Sequence, residues 1–228
     1  MTGRSGFRRF VFAAACATVS WSCRATAPVP RPVPPPAPLA AVVADPGAAD
    51  GREIAARLFG RDPLTPDARL LRYVALVGRA VAGPARGGRY RFAVTESDLT
   101  YATAFPGGIV VVSRGLVFLM QSEAELAVTL SREMCRSDAG GTREFPGSAA
   151  EGEAAREIEL DACGARAASA AGYDAGAFLH LFGALEERAT SVREKSDLDA
   201  RRERFRALPE SARGGKLLAE RFRSSAIL

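Results

Sequence analysis

The sequence predicts an α+β domain that is mainly helical, with a small β-sheet or hairpin beside a central helix. Two observations carry this reading. From Thr65 onward, stretches with apolar residues every third or fourth position recur, several behind a capping residue. Between the first two of these stretches lie short alternating or β-branched segments, "YRFAVTES" and "AFPGGIVVVS". The 228 residues suffice for one domain of about 180 residues behind a leader.

Residues 1–23 read as a signal peptide. A basic start up to Arg9 precedes the apolar run "FVFAAACATVSW", which is too short to be a comfortable membrane span. Cys16 in "AAAC" and Cys23 in "SWSC" both follow small residues, as lipoprotein processing requires. Ordinary cleavage nearby and a retained anchor are the alternatives. Residues 24–50 form a proline-rich linker, and "APVPRPVPPPAPLAAVV" over residues 27–43 is expected to be an extended spacer. The expectation is an exported protein of the periplasm or cell envelope, held to a membrane by lipid or by its signal anchor, with its domain over residues 51–228.

The formal net charge of +5 belongs to the leader. Residues 1–44 hold Arg4, Arg8, Arg9, Arg24 and Arg31 and no acidic residue. Removing those five from 31 basic residues leaves 26, against 26 acidic ones, over residues 45–228. A balanced domain offers no electrostatic footprint for a phosphate backbone, and basic patches interleaved with aromatics are absent. Nucleic acid is therefore excluded as a partner.

Thr65 is the expected N-cap of the first helix, with Pro66 at its first position. An inward stripe follows through Leu70, Leu71, Val74, Val77 and Val81, then Gly83 ends it. Tyr90, Phe92 and Val94 alternate as in a strand with one buried face, and Ile109 to Val112 make a second, more buried strand. Ser122 and Glu125 form a capping box for the next helix, whose Leu126, Leu130 and Met134 enter the core. Arg132 and Arg136, four apart, share another of its faces, with Glu133 alongside. A glycine-rich loop, Ala139 to Gly152, leads to a helix closed by Gly172. Asp174 opens the following helix, with Phe178, Leu181, Phe182 and Leu185 inward. The charge-rich end is broken at Pro209.

Four segments in order resemble the zinc metallopeptidases of the forty-eighth metallopeptidase family, which includes HtpX, the CaaX prenyl proteases and periplasmic outer-membrane quality-control proteases. "YATAFPGGIVVVSRGLV" is similar to the family's N-A-F-A-x-P-G-G strand segment, with Tyr101 in place of asparagine. "SEAELAVTLSREMCR" resembles its helix ending in H-E-x-x-H, and "EIELDACGARAASAAGYD" its E-x-x-x-D helix with a G-Y-D cap. "LPESAR", Leu208 to Arg213, resembles its H-P-x-x-x-x-R ending with Leu208 for histidine.

The resemblance covers roughly Pro66 to Arg213 and implies a zincin-like fold. It places Glu133 at the general-base position and Arg132, Arg136 and Glu157 at the three ligand positions, with Asp161 in support. It also implies that Pro106, Gly107, Gly108 and Val111 border a substrate cleft, where an extended peptide would pair with an edge strand.

Such an enzyme needs two neutral imidazoles and a carboxylate on Zn²⁺. Arginine cannot replace histidine, because its guanidinium stays protonated and has no lone pair to give. His180, the one histidine, is expected to be packed or solvent-facing. No cofactor is therefore expected, although the family uses zinc. Two arginines carry the charge of Zn²⁺, so Arg132 and Arg136 are expected to pair with Glu157, Asp161 and Glu133; a merely solvated face is the alternative. Cys135 and Cys163 lie on the two helices involved. They are read as a disulfide, as buried thiols, or as a rebuilt metal site with Glu157.

Three functions are compatible with these residues: a non-catalytic pseudopeptidase that keeps the fold and its peptide edge, an active metalloendopeptidase with a non-standard metal site, or a structural envelope or lipoprotein-assembly factor.

Overall fold

The computed structural model describes residues 46–142, 153–209 and 214–227. The signal peptide, Cys16, Cys23, most of the proline-rich linker, the greater part of the glycine-rich loop and Glu210 to Arg213 lie outside the described residues. All the described residues belong to one unit, Pro36–Leu228. Among them, no helix is long and apolar enough to cross a membrane.

The domain is α+β, as the patterning predicts. Helices α1 (Pro46–Arg61) and α2 (Ala68–Arg86) lead into strands β1 (Arg91–Thr95), β2 (Ala102–Phe105) and β3 (Ile109–Ser113). Then come α3 (Arg114–Leu119), α4 (Glu123–Asp138), α5 (Glu153–Ala170), α6 (Phe178–Arg188), α7 (Val192–Arg206) and α8 (Ala219–Phe222). Helix α1 begins at Pro46, five residues before the boundary expected at residue 51.

The start of α2 also differs. Asp67, not Thr65, caps it, with Oδ1 accepting from the N–H groups of Arg69 at 2.9 Å and Leu70 at 3.0 Å. Thr65 is drawn elsewhere: its N–H donates to the Val94 carbonyl along the outer edge of β1. The end of the main helical stretch is at Gly83, as expected, where φ of +71° departs from the helix before a last turn through Pro84.

The sheet has the order β1-β3-β2, with β1 parallel and β2 antiparallel to β3. β2 and β3 are joined through Pro106, Gly107 and Gly108. Both glycines adopt φ of +79°, and a Cβ on Gly108 would lie 2.4 Å from the Arg89 carbonyl oxygen.

Helix α4 is the centre of the molecule. Ser122 caps it by accepting from Glu125 N–H, and Glu125 reaches back to Gln121 N–H. It touches α2, β2, β3, α5 and α6, and residues 123–134 are buried without interruption. A helix surrounded in this way cannot be amphipathic in the usual sense, so its polar residues must find partners inside the protein.

α5 crosses α4 closely at Gly164, where a Cβ would stand 2.8 Å from Arg132 Cα. α6 and α7 join through Phe178, Phe182 and Phe205, whose ring centroids are 5.0 to 5.7 Å apart. Phe178, Leu181 and Phe182 are buried, and Leu185 packs half-buried against the core.

Candidate functional site: an arginine–carboxylate cluster

The polar residues of α4 meet those of α5 at a buried ionic cluster. Arg132 donates from Nε to Asp161 Oδ1 at 2.7 Å, and its two terminal nitrogens pair with Glu133 and Glu157. Arg136 donates from Nε to Glu133 Oε2 at 2.9 Å, and its Nη2 lies between the two Glu157 oxygens at 2.6 and 2.9 Å. All the residues expected at the ligand, base and supporting positions are therefore brought together. Arg132, Glu133, Arg136 and Asp161 are buried, while Glu157 and Arg201 are half-buried.

Arg201 of α7 completes the cluster. It holds Asp161 in a fork, Nε to Oδ2 at 2.7 Å and Nη2 to Oδ1 at 2.9 Å, and its guanidinium lies 5.3 Å from the Phe182 ring centroid. The sequence reading missed it, because nothing in the arginine-rich "DARRERFR" marks residue 201. One signal was available: Glu133, Glu157 and Asp161 outnumber Arg132 and Arg136 by one, so a third cation was implied. With Arg201 the cluster is neutral.

The electrostatics agree with this pairing. Burial by itself would raise the Asp161 carboxyl, but Arg132 and Arg201 outweigh it and hold the group below the usual carboxylate range. Burial lowers the Arg132 guanidinium, yet arginine starts so high that it stays charged.

Cys135 and Cys163 form a disulfide that joins α4 to α5 beside the cluster, with Cα atoms 6.4 Å apart. The alternative of a metal site rebuilt from these cysteines and Glu157 is thereby overturned. Disulfide sulfurs are not thiolates, and Glu157 is engaged by both arginines.

The residues present do not fit zinc. Two of the three ligand positions hold guanidinium groups without a lone pair, and the carboxylates beside them accept hydrogen bonds from arginine. Among the described residues, no group of three His, Cys, Asp or Glu side chains is arranged to hold a metal ion. His180 instead faces Glu125, Nδ1 to Oε1 at 3.5 Å, and is exposed.

The expected substrate edge is corrected. Val111 lies in β3, which is the central strand, paired with β1 on one side and β2 on the other, and its side chain is buried. An added strand cannot pair there. Pro106 is buried, and α1 lies against the turn, since a Cβ on Gly51 would fall 1.8 Å from the Pro106 carbonyl oxygen. Beyond β2, Thr142 N–H donates to the Ala104 carbonyl at 2.7 Å, so part of that outer edge is occupied as well. Hydropathy showed β3 to be buried but not that β2 lay outside it.

A second buried carboxylate, Glu123, also escaped the sequence reading. Tyr73 and Tyr173 each donate a hydroxyl to it at 2.7 Å, and Arg221 of α8 forks onto it from the C-terminal end. Burial would raise Glu123, but Arg221 and the two hydroxyls bring it below its ordinary value.

The chain matches no known protein-family profile and no curated protein sequence.

Proposed function

We propose that this protein is a non-catalytic relative of the family-forty-eight zinc metallopeptidases, an exported domain in which an arginine–carboxylate cluster has replaced the metal centre. The observation that carries the reading is the triple engagement of Arg132 with Glu133, Glu157 and Asp161. These are the base, ligand and supporting positions that the resemblance implies.

In a working enzyme of that type, the glutamate takes a proton from a metal-bound water. Here Glu133 has one oxygen against Arg132 and the other against Arg136, so its lone pairs serve structure. Activity as a metalloendopeptidase with a non-standard site is disfavoured by the same donor chemistry. The Cys135–Cys163 disulfide supports export, since such bonds persist in oxidising compartments.

A structural role in the envelope or in lipoprotein assembly fits the enclosed β3 better than peptide capture at Val111 does.

The full chain, purified with its cysteines oxidised, is expected to leave an unfolded protein substrate intact with and without added Zn²⁺. Zinc-dependent cleavage that disappears in Glu133→Gln would overturn the reading.

A further inference from the structure

Helix α2 contains Arg69, Arg72, Arg79 and Arg86 and no acidic residue, in a domain whose charges balance only when these four are counted. Three of these arginines gather on one side. Arg69, Arg72, Leu76 and Arg79 are spaced by three, four and three residues, which confines them to about 80° of the helix circumference. The opposite side, with Leu70, Val74, Val77 and Val81, is buried in the core.

Arg69 and Arg72 are exposed, Arg79 is half-buried, and Leu76 between them is 42% exposed. Among the described residues none of these three arginines pairs with a carboxylate, whereas Arg86 is engaged by Asp138. Asp67 at the N-cap is committed to the first N–H groups of the helix. The C-terminal segment Arg223–Ile227 packs on α2.

We infer that this face of α2 docks on an anionic phospholipid surface. An array of arginines around an exposed leucine suits such a surface. Guanidinium groups meet the headgroup phosphates, while their stems and the leucine reach the acyl boundary. The leader and proline spacer expected upstream would keep the domain within reach of a membrane, so modest affinity suffices. Docking through α2 is independent of the arginine–carboxylate cluster, which lies on other helices.

The test is sedimentation of the full chain with vesicles of phosphatidylglycerol and phosphatidylcholine against vesicles of phosphatidylcholine alone. The basic leader is common to every variant, so differences between variants isolate the domain. R69E/R72E/R79E is expected to cut the preference for anionic vesicles at least about tenfold, and R69Q/R72Q/R79Q to cut it less. The control R193E/K195E/R204E changes the charge equally at three exposed positions of α7 and is expected to leave the preference near that of the native protein. An equal loss in both charge-reversed triples, or no loss in the α2 triples, would overturn the inference. So would stronger binding of the native chain to duplex DNA than to the anionic vesicles. Circular dichroism identifies any variant that has unfolded, and the glutamine triple then decides.

Discussion

Arg132 Nε and Asp161 Oδ1 meet at 2.7 Å in the interior, and this contact ties α4 to α5. Both groups are buried, so neither tolerates the loss of the other. Two charges withdrawn from water are held only by each other and by their further partners.

Arg132→Met keeps most of the volume and removes the charge that serves three carboxylates. It is expected to destabilise the domain by about 3–5 kcal/mol, the usual cost of breaking a buried ion pair from one side. Denaturant unfolding measures this directly. A loss below about 1 kcal/mol would mean that solvent reaches the cluster freely.

Arg201→Lys tests whether geometry matters as much as charge. Lysine keeps the cation but cannot fork onto both Asp161 oxygens or stack on Phe182. A loss of about 1–2 kcal/mol is expected in thermal unfolding, on the scale of one charge-assisted hydrogen bond. Equal stability of the lysine variant and the native chain would reduce Arg201 to a bystander.

The Cys135–Cys163 disulfide closes a loop with a sequence separation of 28. Chain entropy alone then predicts a stabilisation of about 3–4 kcal/mol. Cys135→Ser with Cys163→Ser, compared with the native chain under oxidising conditions, should show most of it. The same double variant should be indifferent to reductant.

The pH dependence has a definite sign. Asp161 and Glu123 are lowered in the fold, so each contributes stability that is present above its unfolded value and lost as pH falls through its folded value. Glu125 goes the other way. Burial raises it, so its contribution is present below the unfolded value and is lost as pH rises through the folded one. Stability is therefore expected to drop steeply below about pH 4. Asp161→Asn should soften that acid limb, and Glu125→Gln should flatten the slope on its neutral side. Unfolding midpoints measured across the acid range give both slopes. An acid limb unchanged in Asp161→Asn would sever the link between that carboxylate and the fold.

Much of the domain was legible in the sequence because its signals are local. The capping box at Ser122 and Glu125, the β-branched run of β3 and the break at Gly83 each act over a few residues. The four-residue spacing of Arg132 and Arg136 fixed their common face, and the retained Glu157 and Asp161 pointed to their partners. What stayed hidden is non-local. β2 is "ATAF", half alanine, so its own composition does not mark it as a strand apart from β3, with which it pairs. Arg201 is one arginine among several until α7 folds over Asp161. The order β1-β3-β2 depends on a crossover that no residue announces, and it turned Val111 from an edge residue into a central one. Helix α1 was hidden because it opens on Pro46 and Gly47, residue types that read as linker rather than helix.

The most direct test of the central claim is zinc titration of the native chain beside Arg132→His/Arg136→His, with bound metal counted after dialysis. If the arginines stand in the metal's place, the native chain retains no stoichiometric zinc and the double variant retains about one ion per chain through its new imidazoles and Glu157. Stoichiometric zinc in the native chain, or none in a double variant that is folded by circular dichroism, would contradict the account.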